Sequence, residues 1–186
     1  PVSPEYNLLP TIVPPLPSRT EEKWYVLRVT YSRELQLKEY LDTKGICNFL
    51  PMQQMIVLDR NGKRVKRLLP VVHNLLFAHT SRQTIDGFKQ ELEGRIPVRF
   101  YMDRETCLPL TVPEREMRNF IAVAGTQDEQ LLYLPPSEVA MKKGDRVRIT
   151  GGIFEGVEGE IIRLRGDRRL VVRIPGLMAV ATAFIH

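Results

Sequence analysis

Hydrophobic and polar positions along the chain change period several times, and each change marks an element. KWYVLRVTY, residues 23–31, is rich in aromatic and β-branched residues between polar flanks, which predicts a strand. In the SRELQLKEYLDTKG that follows, Leu37, Tyr40 and Leu41 fall at i, i+3 and i+4, the spacing of one helical face. Ser32 is the expected cap of that helix and Gly45 its stop. ICNFLPMQQMIVLDR reads as two strands broken near Pro51. Asn61-Gly62 then predicts a type I′ hairpin turn, with KRVKRLLP as the returning arm. VVHNLLFAHT, residues 71–80, predicts a buried strand. Ile85, Phe88 and Leu92 share a helical face that ends at Gly94. PVRFYMD predicts another strand, and TVPEREMRNFIAVAG a helix with Met117, Phe120 and Ile121 as its apolar face.

This order of strands and helices suits an α+β domain over residues 23–133, a mostly antiparallel sheet covered by helices. LPPSEVAMKKGD breaks the pattern with a double proline, so residues 134–141 are expected to be a linker. Beyond it, short strands near 145–150, 157–165, 168–174 and 177–184 predict an all-β module over 142–186, with glycine at its turns. Six prolines within the first 17 residues set residues 1–22 apart as an extended, proline-rich segment.

The chain has 186 residues, room for two small domains. No run approaches the roughly 20 apolar residues of a membrane helix, and the first residues lack the pattern of a signal peptide. Cys47 and Cys107 stand far apart, which predicts buried or half-buried thiols in a reducing cytoplasm rather than a disulfide. The net charge is +5, and residues 141–186 carry nine basic against five acidic side chains, so an anionic partner is expected there.

Candidate catalysis is sparse. His73 and His79 lie six apart on the predicted strand, hence on one face, but no third ligand or nucleophile–base set accompanies them. GGIFEGVEG lacks the Gly-Lys-Ser/Thr ending and the helix of a phosphate-binding loop. A protein that is not an enzyme, with no cofactor and no metal, is the expectation.

Two features together resemble a known family. Gly144-Asp145-x-Val147, Gly151, Phe154, Gly156 and Gly159 stand at the spacing of a KOW motif. The module ahead of them opens with Trp24-Tyr25-Val26, continues through a helix and GICNFLP, and sets a basic hairpin before a sheet strand. It is similar to the N-terminal domain of NusG-type transcription elongation factors. The resemblance spans 23–186 and implies an N-terminal NusG domain followed by an SH3-like KOW barrel. The family's proline-glycine turn is here His73-Asn74, and an aromatic is replaced by Leu75. That looser pattern is most similar to the UpxY-like antitermination factors of Bacteroidetes.

The resemblance also implies partners. Tyr25, Tyr31, Val72, Leu75 and Phe77 fall where the family grips the clamp helices of the largest RNA polymerase subunit. Alternation along a strand makes some of these plain core. Arg60, Lys63, Arg64, Lys66 and Arg67 surround the hairpin turn, where they suit DNA or nascent RNA phosphates, or serve only to keep an edge soluble. Phe154, Arg163, Arg165, Arg168 and Arg169 are the candidate contacts of the KOW module. In relatives that module recruits Rho or a small-subunit ribosomal protein, and the residues do not choose between them. Two other readings stay open: a ribosome-associated KOW protein binding structured RNA, and an autoinhibited factor whose tail masks the polymerase face and refolds as helix. Val and Ile at strand positions, with Gly166 in mid-run, disfavour that helix.

Overall fold

A computed structural model describes residues 19–140 and 142–182, so most of the proline-rich start lies outside the described residues. The first strand, β1 (Glu22–Val29), pairs with β5 (Leu75–Ser81) and β6 (Val98–Phe100), and at its start with β7 (Thr111–Val112). β2 (Cys47–Phe49) adds to the far side of β5, so the sheet runs β2-β5-β1-β6, antiparallel throughout. Register decides the faces: Val26 lies opposite Phe77 and Tyr25 opposite Ala78, so Val26 and Phe77 share one side and Tyr25 the other.

On the Tyr25 side lie α1 (Glu34–Thr43) and α2 (Arg82–Glu91), burying Leu37, Leu41, Ile85 and Phe88 against Leu27, Val29, Leu76 and Ala78. Ser81 caps α2, its hydroxyl accepting from the Thr84 amide at 3.1 Å. Ser32 does not cap α1. Tyr31 and Ser32 both take left-handed φ, 62° and 53°, so the cap position falls to Arg33, which makes no side-chain cap bond. The buried carboxylate of Glu34 instead accepts from the backbone of Asn74 in the turn before β5.

On the opposite side lies α3 (Glu114–Ala124), whose Met117, Phe120, Val123 and Ala124 are buried. The Phe120 ring stands 5.7 Å from Phe77 and meets Phe49 edge-on at 6.2 Å. This core continues beyond the sheet. It takes in Leu131, Val157, Leu170, Val172, Ile174, Met178 and Val180, all from the second half of the chain.

The strands that follow α3 form a second antiparallel sheet, ordered β8-β12-β11-β10-β9. Its strands are β8 (Leu132–Leu134), β9 (Asp145–Arg148), β10 (Glu158–Leu164), β11 (Asp167–Ile174) and β12 (Met178–Ala181). Close approach explains two of its glycines. A Cβ on Gly144 would lie 2.2 Å from the Ile161 carbonyl oxygen, and one on Gly159 2.6 Å from that of Val171. The stretch expected as a linker holds α4 (Pro136–Val139), and β8 just before it pairs with β12. Arg173 fastens this connection: it forks onto both carboxylate oxygens of Glu160 at 3.1 and 3.2 Å and donates to the carbonyls of Val139 and Lys142.

Inserted in sequence between β2 and β5 of the first sheet stands a third element, the hairpin of β3 (Met52–Leu58) and β4 (Arg64–Pro70), which joins neither sheet. Its turn is not type I′, because only Gly62 has positive φ, 75°. The Gly62 amide bonds the Asp59 carbonyl, and the Asp59 carboxylate takes the amides of Asn61 and Lys63 at 2.8 and 2.9 Å. Asp59, rather than Asn61, organises the turn.

Candidate functional site

The five residues assigned to polymerase contact do not form one groove. Phe77 is fully buried between the rings of Phe49 and Phe120, and Leu75 is buried in the same core. Val72 is half-buried at the edge of that core, in the turn before β5 rather than on a strand. Tyr25 sits on the other side of the sheet, within the α1–α2 layer. Tyr31 is 78% exposed, two residues past the end of β1. The side of the sheet that carries Val72, Leu75 and Phe77 is therefore a coherent apolar surface, and Tyr25 and Tyr31 are not part of it.

That surface is covered within the molecule. α3 lies over it, and β11 and β12 pack against α3. At the seam, Arg115 pairs with Glu158, and the Asn119 side chain accepts from the Glu158 amide at 3.2 Å. Arg115 is largely exposed, so this ion pair adds little, and apolar burial holds the seam. Near the start of β1, Trp24 donates its indole N–H to Glu114 at 2.9 Å, and the cross-strand His79 ring lies tilted 5.1 Å from the indole.

The five basic hairpin residues, Arg60, Lys63, Arg64, Lys66 and Arg67, are all exposed and fall on one ribbon. Residues 52–70 hold these five cations against Asp59 alone, a net +4. The tail from 141 also carries +4, so the rest of the chain is −3. The basic character is thus shared by the tail and the hairpin, not concentrated in the tail. Lys66 meets Glu129 at 3.1 Å across an exposed gap. Sequence reading missed the apolar residues between these cations: Met55, Ile56 and Leu58 are exposed, Ile56 at 61% and Leu58 at 67%. Three apolar residues on strands that extend past the core were the available signal.

In the second sheet, Arg163 and Arg168 face each other directly across the β10–β11 ladder, with Arg165 in a left-handed turn beside them. All three are exposed. Like charges opposite one another cost a little stability, so this cationic pair does not help hold the ladder. Arg169 differs, because it is mostly buried and bonds the Thr182 carbonyl at 2.9 Å and the Asp167 carboxylate at 3.4 Å. Phe154 is half-buried against the shared core, whereas its neighbour Ile153 is 84% exposed at the tip of the 149–157 loop.

Both cysteines are exposed free thiols, contrary to the expectation of burial; Cys107 lies in a turn with φ 56° and Cys47 on the edge strand β2. His73 is exposed in the turn before β5 and His79 lies on β5 itself, so they do not share a strand face. Among the described residues no three His, Cys, Asp or Glu side chains gather as a metal site, and no helix is long and apolar enough to cross a membrane.

A family model described as "Transcription termination factor nusG" matches residues 22–121, from the first strand through most of α3. No curated protein matches the chain.

Proposed function

The chain belongs to the NusG family, and from that premise we propose that it is a transcription elongation and antitermination factor that binds RNA polymerase through its N-terminal domain. The observation that carries the reading is the family match over the unit that bears both the apolar sheet face and the basic hairpin. The polymerase face is the side with Val72, Leu75 and Phe77, which receives the apolar end of the clamp helices of the largest subunit. Leu75 and Phe77 lie beneath α3 and the C-terminal sheet packs on α3 in turn, so engagement uses the α3 side of this apolar layer with Val72 at its margin and requires the C-terminal sheet to move off α3, a shift between closed and open populations. The bound factor acts without catalytic residues or cofactor, by favouring the closed clamp over the open one.

The hairpin cations then lie against DNA or nascent RNA. The C-terminal sheet is a KOW barrel that recruits a further partner, Rho or a small-subunit ribosomal protein. The substitution of His73-Asn74 and Leu75 in the turn and strand favours a specialised UpxY-like paralogue, acting in the cytoplasm. The cationic Arg163–Arg165–Arg168 turn favours a second reading, in which this sheet binds structured RNA, as in ribosome-associated KOW proteins.

Binding of the full chain to purified RNA polymerase, wild type against Val72→Asp, tests the reading. Val72 is half-buried in a turn at the margin of the core, and circular dichroism checks that the variant keeps its fold. The expected result is polymerase binding that the variant weakens about tenfold or more, the loss of one apolar anchor. No polymerase binding by the wild type, with tight salt-sensitive binding of structured RNA, would move the function to the second reading.

A further inference from the structure

We propose that a pocket beside the first turn of α2 is a binding site for a small amphipathic anion, a phosphate or carboxylate carried on a short apolar body. The inference goes beyond the polymerase reading and does not depend on it. The pocket has a volume of about 280 Å³ and lies on the Tyr25 side of the first sheet, opposite α3. Alternation along β1 sends Lys23 and Tyr25 to the same side, and Arg82 opens α2 on that layer. Arg19 and the 103–111 loop, tied by the Met102–Pro109 bridge, complete the rim.

Charge decides what the pocket takes. Three cations, Arg19, Lys23 and Arg82, line it against one carboxylate, Asp103. The nearby acids are already engaged: Asp86 pairs with Arg19 at 3.0 Å and Glu21 with Lys23 at 3.4 Å, while Asp103 accepts from the amides of Glu105 and Thr106. Arg82 is left over. It is half-buried, its Nε is shut away from solvent without an acceptor, and among the described residues no hydrogen bond or ion pair reaches its guanidinium. What it does meet is the Phe100 ring, 5.8 Å from its centre, over which Lys89 also stands at 4.7 Å. A second cation on the same ring adds repulsion, not compensation. A buried donor without a partner calls for a physical account, and a guanidinium is matched by the planar edge of a carboxylate or phosphate. A turn of the Arg82 side chain onto an anion in the pocket supplies the missing acceptor.

The apolar wall sets the rest of the ligand. Leu108 is 49% exposed, Leu110 is half-buried and Tyr25 is nearly covered, so the wall deepens from rim to floor. A bare inorganic ion would leave that wall in water. A hollow at the small end of ligand-pocket sizes, mostly apolar with a few convergent charges, suits one small molecule with both features.

The test is a titration of the isotope-labelled full chain, followed by amide chemical shifts, with phenyl phosphate, benzoate, inorganic phosphate and phenol as probes. The expected result is that phenyl phosphate or benzoate shifts the amides around Arg82, Leu108 and Leu110, and binds at least about tenfold tighter than inorganic phosphate or phenol. The tighter of the two assigns the head group. Arg82→Gln weakens that probe about tenfold and leaves phenol unchanged. Lys23→Gln, at the start of β1, is the second charge variant and weakens it about threefold. Leu108→Ser, at the exposed rim, weakens the organic anion and leaves inorganic phosphate unchanged. No shift at these amides with either organic anion at millimolar concentration overturns the inference. So does inorganic phosphate binding as tightly as phenyl phosphate, which makes the site an adventitious ion only, or affinity unchanged in both charge variants. Polymerase binding is not read in this test, so its failure leaves the proposed function standing.

Discussion

Phe120→Ala probes whether the two sheets share one core. Phe120 is fully buried on α3, 5.7 Å from the Phe77 ring and 6.2 Å from Phe49, in the cluster that also holds Val172 and Val180 of the second sheet. Removing a buried phenyl ring costs about 3–5 kcal/mol, the transfer of the ring plus the cavity left behind. Two aromatic partners place the cost in the upper half of that range, since each such pair adds roughly 0.5–1.5 kcal/mol beyond area. For a chain of this size, that corresponds to a fall in Tm of roughly 8–20 °C. The assay is denaturant and thermal unfolding, with amide hydrogen exchange to locate the loss. Exchange should accelerate in β5 and also in β11 and β12, because α3 is the layer between them. A loss below about 1 kcal/mol, or faster exchange confined to the first sheet, would refute a common core.

Arg173→Ala should destabilise the second sheet by about 2 kcal/mol, because it strips Glu160 of a bidentate partner and frees the carbonyls of Val139 and Lys142; Arg173→Lys should recover little, having no fork. Chemical denaturation of the three proteins checks both statements. Two phenols are held up to about 12, Tyr133 by burial and Tyr40 by burial and the hydrogen bond to Glu91. Folding favours their neutral forms, so this contribution is complete below pH about 10 and is lost as pH rises through about 12. A spectrophotometric titration should show this late phase, and Tyr40→Phe with Tyr133→Phe should abolish it.

Helices and strands were legible because their apolar periods are local. Leu37 and Leu41, Ile85 and Phe88, Met117 and Phe120 all face the cores that their spacing predicts. What depends on pairing between distant residues was not. Tyr25 and Phe77 are both aromatic strand residues in sequence, yet the β1–β5 register puts them on opposite sides of the sheet. Leu132–Leu134 looked like the approach to a linker, but its partner β12 lies more than forty residues downstream. Local chemistry also misled where two motifs competed. Asn61-Gly62 suits a type I′ turn, but Asp59 two residues earlier collects the turn amides and selects another. Ser32 is a good cap by type, and the left-handed Tyr31–Ser32 corner denies it the position. The basic hairpin was plain from composition. Its exposed Ile56 and Leu58 were not, because exposure follows from the ribbon standing apart from both sheets.

On the proposed function, the apolar side of the first domain, α3 over the sheet with Val72 at its margin, binds RNA polymerase once the C-terminal sheet leaves α3, and this is the central claim. Arg115 and Glu158, which pair across that seam, are the place to lock it. In a background with Cys47→Ser and Cys107→Ser, Arg115→Cys and Glu158→Cys would be joined by a short, disulfide-cleavable bismaleimide. Polymerase binding would then be measured before and after cleavage. The predicted result is binding at least about tenfold weaker in the locked protein, restored when the linker is cut. Equal binding by the locked and released forms would contradict the account, because the face would then be reachable with the sheet in place.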